Sequence, residues 1–106
     1  MKMINLDQCV KRESKVLSGR EDGIKWRKSF KLDKMDKQEE KIEVEIPEYL
    51  YSINASFFLG LFGDSVRTLG EYEFRKKYIF KCDDVIKESI DEDIRRAVKE
   101  IDILKG

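Results

Sequence analysis

Three small polar residues, Ser52, Asn54 and Ser56, stand just before the most hydrophobic stretch of the chain. Each can cap a helix, because its side-chain oxygen accepts a hydrogen bond from a free backbone N–H group of the first turn. A serine at a helix start is also a suitable phosphoacceptor, since the positive end of the helix dipole tolerates a phosphate. From the residues alone, capping is the favoured explanation for all three.

The residue types that are missing exclude several kinds of active site. The chain contains no histidine, which excludes Ser-His-Asp and Cys-His nucleophiles and the usual zinc and iron sites. Its two cysteines, Cys9 and Cys82, are far apart, and we expect them to be small apolar residues rather than a disulfide. The carboxylate clusters 83–84 and 91–93 could hold Mg²⁺, but such acids are typical of helix N-termini. We therefore expect a non-enzymatic protein with no metal and no cofactor.

The charges balance, with 22 Lys+Arg against 22 Asp+Glu, which argues against binding to duplex nucleic acid. They are nevertheless unevenly spread. Basic residues cluster between Lys25 and Lys37, and acidic runs cover 39–48 and 83–93. These opposite patches leave open pairing with a partner or with a second copy of the chain. The longest apolar run, near Phe57–Phe62, is too short to span a membrane, and the first residues lack a signal-peptide core, so we expect a cytoplasmic protein.

The first half of the chain predicts short strands around a helix. Ile4 and Leu6 alternate with polar residues, and Val16-Leu17 is a second short strand signal. A capping box at 18–21 predicts a helix over 19–31, and the charged segment 31–40 is predicted to be a surface loop. Ile42, Val44 and Ile46 alternate with charged residues and predict a strand with one buried face.

The second half predicts a central helix that ends near Leu69, a short helical turn over 71–76, a strand over 78–80 and a final helix. Gly60 and Gly63 suggest close approach of the central helix to a sheet, and a capping box at 89–92 marks the start of the final helix. Strands and helices alternate, which indicates an α/β fold with parallel connections. We expect one domain over 1–106, with a mostly parallel or mixed sheet of about four strands and three main helices.

Two motifs carry a family resemblance. The stretches GREDGIKWR (19–27) and ASFFLGLFGDSVR (55–67) resemble the G-R-x-x-G-x-x-aromatic-R and S-F-L-x-x-x-F-G-x-x-V-R patterns of a bacterial STAS-like domain family of unknown function. The motif residues with an expected structural role are Gly19, Arg20, Gly23, Trp26, Arg27, Phe62, Gly63 and Arg67. The resemblance implies a fold similar to that of anti-sigma factor antagonists.

The resemblance also implies a function. Anti-sigma factor antagonists bind an ATP-binding kinase of the histidine-kinase-like ATPase fold, which phosphorylates a serine at a helix start and weakens the complex. Here the phosphoacceptor position falls on Ala55 or Ser56, depending on register, and Ser52 is a further candidate. We expect a partner surface that includes Tyr49, Tyr51, Asn54, Ala55 and Phe57.

One alternative stays open. It is a non-switching accessory or inhibitory protein, for example in a bacterial or phage defence context, that uses the same loop and helix start without phosphorylation.

Two arginines of the motifs, Arg20 and Arg27, are expected to fix loop geometry through bidentate hydrogen bonds rather than to contact a ligand. In that case Arg20→Ala lowers thermal stability.

Overall fold

The computed structural model describes residues 2–11 and 14–105, and the side chains of this range up to residue 100. The strands are β1 (Lys2–Asn5), β2 (Val16–Leu17), β3 (Ile42–Glu45), β4 (Ser52–Ile53) and β5 (Tyr78–Lys81). The helices are α1 (Arg20–Phe30), α2 (Leu32–Asp36), α3 (Ala55–Leu69), α4 (Glu71–Lys77) and α5 (Asp84–Lys105), and a 3-10 turn covers Leu6–Cys9.

The strands form two small parallel sheets. β1, β3 and β5 lie in that order, with Ile4 opposite Val44 and Val44 opposite Phe80. β2 and β4 form a separate parallel pair. The predicted α/β fold with parallel connections is confirmed. The prediction of a single sheet of about four strands is wrong for the described residues, because two-residue strands such as β2 and β4 leave almost no alternation in a sequence.

The core lies between the three-stranded sheet and α3. Ile42 and Val44 are buried on the inner face of β3, while the alternating glutamates are half-buried. Phe62 of α3 packs edge-on against Tyr78 and Phe80 of β5, with ring centroids 5.3 and 5.4 Å apart. The predicted central helix is confirmed, since α3 ends at Leu69 and is buried on nearly all sides.

The tightest packing joins α3 to α1, not to the sheet. A Cβ at Gly60 would lie 2.3 Å from the Arg20 carbonyl oxygen, and a Cβ at Gly23 would lie 2.3 Å from the Phe57 carbonyl oxygen. The prediction that Gly60 approaches a sheet is therefore wrong. The helices cross backbone to backbone, which only glycine allows at these two positions. Gly63 instead leaves room for the guanidinium of Arg67, 3.0 Å from its ideal Cβ.

Three local predictions also need correction. Gly19, with φ of 93°, caps α1 without a side-chain hydrogen bond, so the predicted Ser18 capping box is wrong. The segment predicted as a surface loop contains α2, in which Leu32 and Asp36 are buried. The final helix begins at Asp84, where the Asp83 carboxylate accepts a hydrogen bond from the Ile86 N–H at 2.9 Å, so Ser89 lies inside the helix.

The short helix and the strand predicted after Leu69 are confirmed as α4 and β5. Within the part of the chain that is described, no helix combines the length and the apolar character that crossing a membrane requires.

Candidate functional site

Two helices begin at one point of the molecule. β2 and β4 are parallel neighbours, so the chain leaves both strands in the same direction and enters α1 and α3 side by side. The Asn54 N–H donates to the Leu17 carbonyl oxygen at 2.7 Å, and the Gly19 N–H donates to the Ser56 hydroxyl oxygen at 3.3 Å. Ser56 therefore lies where the positive ends of two helix dipoles converge.

Asn54 is the cap of α3. Its side-chain oxygen accepts hydrogen bonds from the Ser56 backbone N–H and from the Ser56 hydroxyl, both at 2.9 Å. Asn54 is exposed, and Ser56 and Ala55 are half-buried. The serine hydroxyl is thus oriented by two partners, Gly19 and Asn54, and its residue is half-buried beside an exposed cap.

The other predicted site residues divide into exposed and buried ones. Tyr51 is 80% exposed and Tyr49 is 50% exposed, and the Tyr49 hydroxyl donates to the Asp7 carboxylate. That hydrogen bond is the main cause, and burial a smaller one, that raises the pKa of the Tyr49 phenol. Ser52 is half-buried within β4. Phe57 is only 1% exposed, so its assignment to a partner surface is wrong: its side chain points into the core.

Arg20 and Arg67 share one carboxylate on α5. Glu100 accepts from Arg20 at 3.1 Å and from Arg67 at 3.2 Å, and Arg67 also pairs with Asp64 at 2.7 Å. The Arg20 side chain is 47% exposed. These contacts connect the start of α1 and the last turn of α3 to a late turn of α5, through side chains that are 24–47% exposed and individually contribute little stability.

Arg27 lies at the opposite end of α1 in a closed polar centre. Its guanidinium donates to Asp36 at 2.8 Å, to the Ser65 hydroxyl at 2.8 Å and to the Leu61 carbonyl oxygen at 2.9 Å. The Tyr78 hydroxyl donates to the other oxygen of Asp36 at 2.5 Å. Arg27, Asp36, Ser65 and Tyr78 are all buried, so this centre holds α1, α2, α3 and β5 together.

Burial and hydrogen bonding both act on the titrating groups of this centre. Burial disfavours the charged guanidinium of Arg27, but hydrogen bonds to Asp36 and Asp33 outweigh it and raise the pKa. Burial, followed by the hydrogen bond to Asp36, raises the pKa of the Tyr78 phenol far above its usual value. Tyr78 therefore stays a neutral donor and Arg27 stays charged at any physiological pH.

The remaining motif residues contribute to packing. Trp26 and Phe30 are half-buried neighbours with ring centroids 5.5 Å apart. Phe62 lies at the centre of the aromatic core, and Gly63 accommodates Arg67. The two cysteines are free, and burial raises the pKa of Cys9 to about 12, which keeps its thiol protonated. The described residues include no group of three His, Cys, Asp or Glu side chains arranged to hold a metal ion.

A separate groove of about 530 Å³ opens at the carboxyl ends of β3 and β5. Its walls include Glu45, Glu48, Lys81, Cys82 and Asp83. Burial, ahead of the charge of Asp83, raises the pKa of the Cys82 thiol. The groove is therefore acidic in character and offers no thiolate nucleophile.

Sequence reasoning missed Asp36, Ser65 and Tyr78 as members of one polar centre. They come from three distant segments, so no local pattern joins them. One signal was present: Leu32 and Met35 are spaced as on one face of a helix within the charged stretch 31–40, and that spacing indicates α2.

The comparisons with known proteins identify no relative. No family model matches the chain, and neither a curated protein nor a solved structure is significantly similar to it. The resemblance to the STAS-like family therefore stays a prediction that depends on the two motifs.

Proposed function

We propose that this α/β domain is a STAS-like, non-enzymatic regulator that binds a protein partner at the shared start of α1 and α3, in the cytoplasm of a bacterial cell. The surface consists of Tyr49, Tyr51, Asn54, Ala55 and Ser56. Exposed tyrosines supply large contact areas with a polar tip and are typical anchors of protein interfaces. The two tyrosines are 50% and 80% exposed, and they precede a helix start at which Asn54 is exposed and Ala55 and Ser56 are half-buried.

We further propose that Ser56 is the regulatory residue of this surface. Its hydroxyl accepts a hydrogen bond from the Gly19 N–H at the start of α1 and lies on the first turn of α3, where the Ser56 backbone N–H donates to Asn54. A phosphate of about −1.5 to −2 charges is stabilised in such a place, so modification would leave the fold intact. It would also change the charge of the partner surface, which weakens binding to an acidic partner.

Ser56 suits this role better than Ser52. Ser52 lies in β4, where it pairs with Val16 of β2, and it is not at the N-terminus of a helix. Ala55, the alternative register for the phosphoacceptor, has no hydroxyl. The convergence of two helix N-termini on the Ser56 hydroxyl is the single observation that supports the proposal.

The test uses candidate kinases of the histidine-kinase-like ATPase fold, each mixed with the protein and ATP, with intact mass as the readout. We expect a gain of one phosphate in the wild type and in Ser52→Ala, and no gain in Ser56→Ala. A gain that persists in Ser56→Ala, or that disappears only in Ser52→Ala, contradicts the assignment. Partner affinity measured with and without the phosphate then tests the switch itself.

A second candidate is a binding module that uses the same surface without modification. It is favoured by one observation: the Ser56 hydroxyl already donates to Asn54 as part of the helix cap. On this hypothesis ATP leaves the complex unchanged, while Tyr51→Ala weakens it. Tyr72→Ala is the matched control, because Tyr72 is 72% exposed but lies on α4.

A further inference from the structure

Five lysines spaced three residues apart in the sequence, here called the basic stripe, lie on α1, at the left-handed turn that follows it, on α2 and at the C-cap of α2. They stand at every third position and all are exposed: Lys25, Lys28, Lys31, Lys34 and Lys37. None lies within 4.0 Å of a carboxylate of the described residues. Of the nearby acids, Asp33 pairs with Arg27, and Asp22 pairs with Lys11 while also sensing Lys25. The stripe therefore keeps an excess of positive charge.

A complementary set of charges lies at the carboxyl ends of the three parallel strands. Asp7 follows β1, Glu45 and Glu48 lie at the end of β3, and Asp83 and Asp84 follow β5; this set is the acidic end of the molecule. Four cations are close by. Lys81 faces Glu43 at 3.8 Å and Lys87 acts on Cys82, while Lys11 pairs with Asp22 and the Lys15 carbonyl oxygen accepts from the Tyr51 N–H. Carboxylates outnumber cations at this end, and a groove of about 530 Å³ gives it a concave shape.

We propose that the basic stripe of one copy binds the acidic end of a second copy, head to tail. Among the described residues no ion pair joins these two surfaces within one molecule, and α2 carries the chain to the amino end of β3. The zero net charge removes long-range repulsion between copies, so the local attraction is free to act. Joining two different surfaces makes the contact heterologous, which produces rings or chains rather than a closed two-fold dimer. This inference goes beyond the proposed function and does not depend on Ser56.

The exposed Tyr49 supports the same arrangement. It adjoins Glu48 at the acidic end and hydrogen-bonds Asp7. A lysine that enters this region meets both carboxylates and an aromatic ring face, and a cation is attracted to such a face. A nucleic acid is the other occupant that a basic stripe suggests, but it would not use the acidic end.

The experiment uses two charge-reversed variants of the full chain. One, Lys28→Glu/Lys34→Glu, reverses the stripe; the other, Glu48→Lys/Asp84→Lys, reverses the acidic end. All four positions are exposed and none has a side-chain hydrogen bond among the described residues. Sedimentation velocity is recorded at about 20 mM and about 0.5 M salt, because screening is weak in the first and strong in the second.

We expect concentration-dependent association of the wild type at low salt, weakened about tenfold or more at high salt. Each reversed variant alone should stay monomeric. Mixed together, they should associate again, because the unchanged acidic end of the first variant meets the unchanged basic stripe of the second. The control Glu73→Lys/Lys99→Glu, on exposed positions of α4 and α5 outside both surfaces, should associate like the wild type.

Three outcomes would overturn the proposal. They are a monomeric wild type at low salt up to millimolar concentration, association that survives either reversal, and a mixture of variants that does not pair. Binding of a fluorescent DNA duplex by a monomeric wild type, lost in Lys28→Glu/Lys34→Glu, would assign the stripe to nucleic acid instead. Circular dichroism of each variant verifies that it is folded.

Discussion

Arg20 and Arg27 lie two turns apart on α1, and their side chains have opposite environments. Arg27 is buried and its donors reach two other elements, α2 and α3, whereas the Arg20 side chain is 47% exposed and pairs with one carboxylate that it shares with Arg67. The same helix therefore connects a closed polar centre to an open surface. Both arginines were expected to be structural, but only the buried one is enclosed tightly enough for its loss to be costly.

The largest effect should come from breaking the closed centre. Arg27→Ala removes the cation that faces the buried Asp36 carboxylate, which then keeps only the hydroxyl donors of Ser65 and Tyr78. An uncompensated buried charge typically costs about 3–5 kcal/mol. Urea unfolding measures the loss, and a cost close to that of Arg20→Ala would contradict the distinction between the two sites.

The next largest effect is expected at the backbone contact of Gly23 and Gly60, where α1 and α3 cross. Gly60→Ala places a Cβ 2.3 Å from the Arg20 carbonyl oxygen, so the backbones of α1 and α3 must separate. We expect a loss of about 1–3 kcal/mol, as for other overpacked interiors. Gly63→Ala is the matched control, because its new methyl meets only the end of the flexible Arg67 side chain. Equal melting temperatures for the two variants would refute the crossing.

Asp93 is a buried acid like Asp36, but within the described part of the chain it lacks partners such as the arginine, serine and tyrosine that bind Asp36. It is 4% exposed, one of its oxygens lacks a hydrogen-bond partner among the described residues, and burial raises its pKa to about 6 despite the nearby Arg96. The native protein therefore holds this proton more tightly than the unfolded chain, so its contribution to stability is lost as the pH rises from about 4 to about 6.

Removing the charge of Asp93 should reverse this loss. At pH 7, Asp93→Asn should be roughly 1–3 kcal/mol more stable than the wild type, and the difference should shrink toward zero near pH 4. Thermal melts across this range measure it. A difference that does not change with pH would show that the ionisation of Asp93 is not responsible.

The smallest effect is expected at the open end. Arg20→Ala breaks an exposed ion pair, which is worth about 0–1 kcal/mol. Arg20→Ala is therefore still expected to lower the stability, as the motif suggested, but only slightly. If the variant loses several kcal/mol in urea, Arg20 belongs with Arg27 and the division into open and closed regions fails.

Local patterns predicted the elements that have a strong hydrophobic period. The alternation at 42–46 and the apolar stripe that ends at Leu69 correspond to β3 and α3, and the order of strands and helices was sufficient for parallel pairing. Boundaries were less well predicted, because competing caps lie close together. Ser89 fits a capping box, yet Asp83 starts α5 earlier since its carboxylate reaches the Ile86 N–H.

The two polar sites differ in how far the sequence could reveal them. The exposed tyrosines and the helix cap of the Ser56 surface lie within residues 49–56 and were accessible to local reasoning, whereas its contact with Gly19 spans 37 residues. The Arg27 centre joins side chains separated by up to 42 residues in the case of Asp36 and Tyr78. Only the folded backbone brings these together, and the glycine contact that sets the helix spacing is equally non-local.

The backbone contact at Gly23 and Gly60 also has a mechanical consequence. Side chains normally absorb small shifts between helices by changing rotamer, but here carbonyl oxygens face the glycine positions directly. A displacement of the first turn of α3 must therefore carry α1 with it as one rigid body. Occupancy of the Ser56 surface should then be detectable at the distant ends of both helices, as a change in amide hydrogen exchange beside Arg27.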